Sequence, residues 1–202
     1  MILLGQLIMK ARELEIAPCA FADIRSFVEK HHYSHNVNGL KVTQCFKVEY
    51  QTRLVGAVMY GAMSTTAWKK FGTSEQEVLE LRRLVLLDEA ERNSESRVVG
   101  WTIRYIRDHY PEVKTIVSYA DPAHGHSGTI YKASNFKYLG TSGKDTAYYD
   151  ADTGKTHHSR SLRVKYKGQY KPFAQRLRDK LAAGKLDAVA LPGKHCFVFH
   201  VR

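Results

Sequence analysis

The chain has 202 residues, 44% of them hydrophobic and 25% charged, which suits one folded domain and excludes a disordered or fibrous chain. Three cysteines, Cys19, Cys45 and Cys196, are an odd count without C-x-x-C spacing; this argues against a disulfide framework or zinc ribbon and for a reducing, cytoplasmic setting. The net charge of +11 is lopsided: residues 1–154 carry 19 Lys and Arg against 18 Asp and Glu, and residues 155–202 carry 12 against two.

Taken in chain order, Ile2 to Met9 is apolar but too short to span a membrane. It has no basic residue before it and no small-residue cleavage site, so it reads as an opening strand and not a leader. Ala22 to Lys30 carries Ile24, Phe27 and Val28 at helical spacing and runs into the polar segment His31 to Asn36. Val42 to Tyr50 alternates as a strand, Gln51-Thr52 makes a tight turn, and Leu54 to Tyr60 returns as its partner. Val78 to Leu87 is a second apolar run with Arg82-Arg83 embedded in it, followed by the charged loop Asp88 to Glu95. Arg97 to Tyr110 has helical spacing and stops at Pro111, and Val113 to Ala120 is rich in strand formers. Asp121 to His126 breaks the chain. Ser127 to Ser134 then reads as a short helix with Asn135 as its left-handed end, and Phe136 to Leu139 as a strand.

The predicted class is α/β: a mixed central sheet flanked by helices, with 1–202 as a single domain. Residues 155–202 are expected to form a basic extension packed on it. Tyr166, Tyr170 and Phe173 interleave with that extension's cations, a pairing suited to phosphates and bases. A solvated basic helix over Phe173 to Ala183 is the plainer reading, and a membrane surface is a third that the lack of a long amphipathic face disfavours.

The element order resembles the acyltransferase fold of the Gcn5-related N-acetyltransferase superfamily, and Tyr131 to Phe136 resembles its Y-x-x-x-G-F signature with Asn135 in place of Gly. The resemblance is closer to the Mom family of phage DNA-modification proteins. It rests on Glu80-Leu81-Arg82-Arg83-Leu84, Ser118-Tyr119-Ala120-Asp121-Pro122, Gly128-Thr129-Ile130-Tyr131 with Asn135-Phe136, Pro192-Gly193-Lys194-His195, and His32-Tyr33. Membership implies conversion of adenine in double-stranded DNA to N6-carbamoylmethyladenine, an anti-restriction modification made in the host cytoplasm. It also implies functional positions at His32, Tyr33, Arg83, Asp121 and Tyr131. Tyr131 is then the candidate acid for the leaving group, a phenol being neutral at rest and able to give up its proton. Asp121 is a candidate proton acceptor, and Arg83 a candidate for phosphate or a developing oxyanion; Arg82 and Ser118 join Arg83 as candidate substrate-binding residues.

Each candidate has a plainer reading: Tyr131 as a packed ring, Asp121 as a turn former before Pro122, and His31, His32 and His35 as surface groups. The family's association with iron makes His32 and Asp121 candidate ligands, although no usual ligand spacing is present. Cys196 reads as a core residue. Gly125-His126-Ser127-Gly128-Thr129 resembles a nucleophile elbow but ends in Thr129; Ser127 and the Gly128 N–H are better placed to contact a phosphate or ribose.

Acyltransferases of the superfamily hold the pyrophosphate of acyl-CoA in a glycine-rich loop. The matching segment here, Asp88 to Arg97, has no glycine and four carboxylates, which repel a pyrophosphate. The donor is therefore either acyl-CoA or, as in some relatives of the fold, an aminoacyl-tRNA. Glycyl-tRNA supplies every atom the product needs, since an N6-glycyl group is an isomer of N6-carbamoylmethyl. Two rivals stand beside the modification enzyme: a nucleic-acid-binding protein of this fold without catalysis, and an acetyltransferase acting on another amine.

Overall fold

The computed structural model describes residues 8–64 and 66–202. Most of the expected opening strand lies outside these residues; Met9 makes a single parallel bridge to Ala90. The chain forms two compact units. The first runs through Ala120 and takes in His126–Gly140 and His195–Arg202, and the second comprises Asp121–Gly125 and Thr141–Lys194.

In the first unit β1 (Glu15–Cys19) leads into α1 (Phe21–His31), and then into the hairpin of β2 (Val42–Tyr50) and β3 (Arg53–Ala62). Its turn residues Gln51 and Thr52 both have positive φ, 50° and 69°, the backbone twist that a two-residue hairpin needs even without glycine. β4 (Val78–Leu86), α2 (Ser94–His109), β5 (Thr115–Ala120), α3 (Thr129–Ala133) and β6 (Lys137–Thr141) follow. The second unit supplies β7 (Asp145–Asp150), β8 (Lys155–His158), the short ribbon of β9 (Lys165–Tyr166) and β10 (Gln169–Tyr170), α4 (Pro172–Ala182) and β11 (Leu186–Leu191). The chain then returns to the first unit as β12 (His195–His200).

The central sheet has the order β1-β2-β3-β4-β5-β12-β6, antiparallel throughout its identified pairs except for β4 with β5. One face packs on α2 and α3 through Phe46, Val58, Tyr60, Leu81, Val99, Ile103, Ile106 and Phe197. The other face is covered by α1 through Ile24 and Val28, and by Trp68 and Phe71 near β5. The class predicted from periodicity is the class observed. What periodicity missed is the placement of β12: residues 155–202 do not stay together, because their last strand lies inside the central sheet between β5 and β6. The position 155 falls at the start of β8, within the antiparallel β7–β8 pair.

The β4–β5 contact is short and clamped at one end. Lys114 N–H donates to Glu77 C=O (2.9 Å), and the Lys114 ammonium pairs with the Glu77 carboxylate. Thr73 adds its N–H at 2.8 Å and its hydroxyl at 2.7 Å to the same carboxylate. These bonds hold the Glu77 carboxyl down at about 2. Parallel pairing then runs only from Val78/Thr115 to Leu81/Ser118. Beyond it β4 stays with β3, and a bulge places Arg82 as an extra residue between Leu81, opposite Tyr60, and Arg83, opposite Met59. A bulge bends its strand, and here β4 bends away from β5.

Two stability measurements check this account. Glu77 has a depressed pKa, so its contribution is complete above about 4.5 and is lost as pH falls toward about 2. The stability gap between wild type and Glu77→Gln should therefore close over that window in urea melts. Gly128 has φ +77°, and a Cβ there would lie 2.2 Å from the Phe197 ring. Gly128→Ala should cost about 3 kcal/mol in the same assay, from left-handed strain plus overpacking.

Candidate functional site

The divergence of β4 from β5 brings side chains from both sheet faces together. Ser118, the last β5 residue paired to β4, is buried and donates its hydroxyl to Leu81 C=O at 3.2 Å. Tyr131 stands on α3, its ring packed on Phe136 and Phe197. Burial pushes the Tyr131 phenol up; Ser118 opposes this, and Tyr33 and Glu80 reinforce it. The group is therefore a neutral proton donor at neutral pH. Tyr33 lies just past the C-terminal end of α1, which covers the other sheet face.

The bulge sets the cationic side. Leu79 and Leu81 face the main core before it, and Leu84 and Leu86 after it, so Glu80 and Arg83 share the other face despite their odd spacing. Arg83 donates to the carbonyls of Asn36 (2.9 Å) and Arg82 (2.6 Å). Arg82 donates to Ala62 C=O (2.7 Å) and pairs with Glu80 at 3.1 Å. The Nε atoms of Arg82 and Arg83 are buried without a hydrogen-bond partner among the described residues. Desolvation lowers the Arg83 pKa, yet a guanidinium so far from neutrality remains charged.

His32 caps the C-terminus of α1 and is buried. The Ser34 N–H donates to its Nδ1 at 3.1 Å, with the Ser34 hydroxyl 2.9 Å from the same atom. An Nδ1 that accepts an N–H puts the ring proton of the neutral imidazole on Nε2. The ring then packs on Tyr33 with centroids 4.2 Å apart, and Tyr33 packs on His126 at 4.8 Å. His31 and His35 are exposed.

Asp121 lies in the second unit. Lys194 reaches its carboxylate at 2.7 Å and Ala123 N–H at 3.1 Å. Burial alone would raise its pKa, but Lys194, Ala123 and His124 outweigh burial and hold it below the usual carboxylate range. Ser127 is exposed, its hydroxyl 2.9 Å from that of Thr129. Cys196 is buried in the core beside Val198. Sequence reading left Glu80, His126 and Lys194 without roles. Glu80 had a usable signal, since i, i+2 spacing to Arg82 on a strand puts both on one side. His126 and Lys194 had none, because their partners are distant in sequence.

The iron expectation finds no fitting donor set. Among the described residues no three His, Cys, Asp or Glu side chains lie together as a metal site. The suggested pair is also engaged elsewhere: His32 Nδ1 accepts from Ser34, and Asp121 is paired with Lys194.

The loop from β4 to α2, which parallels the pyrophosphate loop of acyl-CoA enzymes, is filled by its own chain. Glu91 N–H donates to Met9 C=O (2.9 Å), Met9 N–H to Glu89 C=O (2.8 Å), and Ala11 N–H to the Glu91 carboxylate (2.7 Å). Ala90 and Ser94 N–H groups turn back to Leu87 and Glu91.

The profile of the Mom protein family matches residues 13–202. The chain belongs to that family. Within it, the methylcarbamoylase Mom of Escherichia phage Mu is 28% identical over 182 residues, covering 88% of this chain and 73% of the relative. Among solved structures, a probable acetyltransferase of Staphylococcus epidermidis aligns with a TM-score of 0.50 at 11% identity, over 94% of this chain and 99% of its own. A Streptococcus mutans protein aligns with a TM-score of 0.50 at 12% identity, over 93% and 99%. These two likenesses concern the fold, which is that of the Gcn5-related acetyltransferases. No helix among the described residues is long and apolar enough to cross a membrane.

The His32 assignment can be checked in solution. A long-range nitrogen-15 correlation spectrum at neutral pH should show Nε2 protonated and Nδ1 bare. Replacing Ser34 with Pro, which removes the donating N–H, should return the ring to a mixture of tautomers.

Proposed function

We propose that this chain modifies the exocyclic amine of adenine in DNA to N6-carbamoylmethyladenine. The reading is supported by membership of a family whose phage Mu member is a methylcarbamoylase. The observation that carries it onto residues is Tyr131, a half-buried phenol on α3 whose ring packs on Phe136 and Phe197.

In this mechanism adenine leaves the duplex, because its amine is otherwise held inside the stack. Tyr33 offers the extruded base a ring face, with His32 behind it fixing its orientation. The amine nitrogen attacks the carbonyl carbon of a donor ester, and a carbon–nitrogen bond forms as the carbon–oxygen bond to the leaving group breaks. Arg83 stabilises the oxyanion of the tetrahedral intermediate and Arg82 supports it through Glu80. Tyr131 gives its proton to the departing oxygen. The proton shed by the amine passes to solvent water. Ser127 is assigned to a ribose or phosphate contact.

For the donor we favour glycyl-tRNA over acyl-CoA. The loop that would cradle a pyrophosphate is acidic and has spent N–H groups on Met9, Leu87 and Glu91 carbonyls. Glycyl transfer yields the amide isomer of the final product; in the rearrangement that completes the reaction the N6–carbonyl and methylene–amine bonds break as N6–methylene and carbonyl–amine bonds form, with no net change of oxidation state. Equilibrium binding should detect glycyl-tRNA and no acetyl-CoA; the reverse pattern would remove the tRNA donor.

Tyr131→Phe deletes only the hydroxyl. Nucleoside mass spectrometry of DNA from expressing cells should show modified deoxyadenosine for wild type, and at least about a hundredfold less for the variant. DNA binding should be equal in both. Ordinary deoxyadenosine from abundant wild-type protein would favour a non-catalytic binder or an enzyme acting on another amine.

A further inference from the structure

The first unit neutralises much of its own charge. Lys10, Arg12, Arg25, Lys41, Lys47, Arg53, Arg82, Arg107 and Lys114 all pair with carboxylates. One stretch of the second unit does the opposite. Residues 155–178 contain eight Lys and Arg and no Asp or Glu. All eight side chains belong to exposed residues, and none makes an ion pair with a described residue.

Three of these cations lie against two tyrosine rings. Arg178 from α4 sits 4.2 Å over the Tyr170 ring, and Lys165 from β9 sits 4.6 Å from the same ring. Two like charges drawn to one ring without a carboxylate repel each other, a cost that an anion between them would relieve. The β9–β10 ribbon projects beyond Tyr170 through a turn at Lys167 and Gly168, both with positive φ. Next to the turn Tyr166 is 66% exposed, and Lys167 lies 5.6 Å over its ring. Lys171 fastens the ribbon's base by donating its N–H to Val164 C=O at 3.0 Å, just before α4 begins.

We propose that the β9–β10 ribbon, with the flanking turn over Ser159–Arg163 and the first two turns of α4, is a docking surface for the substrate DNA. Its cations contact backbone phosphates, and Tyr166 stacks on an unpaired base. This rests on the reading that DNA is the substrate. Uncompensated cations match the charge of a polyphosphate backbone, and a ring presented beside a cation matches the face of a base. The ribbon is too short to read a groove, so contact is independent of sequence.

The test uses the full chain and fluorescence anisotropy across a range of salt. The ligands are a paired DNA duplex, the same duplex with one unpaired adenine, and uncharged tRNA. Lys167, Lys171 and Arg176 are exposed, so replacing all three with Gln should leave the thermal melt unchanged. The log–log salt slope for the duplex should become shallower by about 3, near 0.9 per lost phosphate contact. Tyr166→Ala should weaken binding to the duplex with an unpaired adenine by about tenfold and affect the fully paired duplex less. Photo-crosslinking of wild type to bromouracil-substituted duplex should label the peptide containing Tyr166, which tests the surface without any substitution. An unchanged slope, a slope change confined to tRNA, or crosslinks that avoid residues 155–178 would overturn the proposal. Modified adenine alongside any of those results would leave the enzymatic reading standing. The expected binding changes with only ordinary adenine in cellular DNA would keep the surface and sink that reading.

Discussion

Four residues of parallel pairing between β4 and β5 fix where everything else in the first unit meets. Lys114 and Glu77 start the pair in register, and Ser118 ends it by bonding to the Leu81 carbonyl. The bulge at Arg82 turns β4 aside just past that point, and with it Arg83.

The candidate residues differ in how firmly they are held. Ser118 and His32 are buried and bonded within their own turn of chain or to the neighbouring strand. Tyr131 is wedged between Phe136 and Phe197, over a glycine that leaves the ring of Phe197 no slack. Tyr33 is partly exposed, its ring packed on those of His32 and His126.

Local pattern carried much of this into view. The periodicity of Val42 to Tyr50 matches β2 residue for residue, and the helices near Ala22, Arg97 and Phe173 differ from α1, α2 and α4 by a few residues at their ends. Asn135 does take the left-handed conformation, with φ 63°. The helix read over Ser127 to Ser134 is shorter, Thr129–Ala133, because Gly128 at φ +77° breaks the turn before it. Strands β7, β8 and β11 escaped notice because their hydrophobic alternation is weak: Leu186 to Leu191 is exposed at four of its six positions. The meeting of Tyr33, Arg83, Ser118 and Tyr131 was legible only through family resemblance. No spacing rule links residues brought together by a bulge and two crossovers, and the tautomer of His32 depends on one backbone N–H.

The order in which the strands are made has its own consequence. β12 lies between β5 and β6, yet it follows every other described strand, with the whole β7–β11 segment translated in between. On the ribosome, β5 and β6 emerge as two unclosed edges with a slot between them. Phe197, which backs both Tyr131 and Gly128, arrives only after the β7–β11 segment has been made. Until then the central sheet is open between β5 and β6, and the phenol lacks the ring of Phe197 beside it.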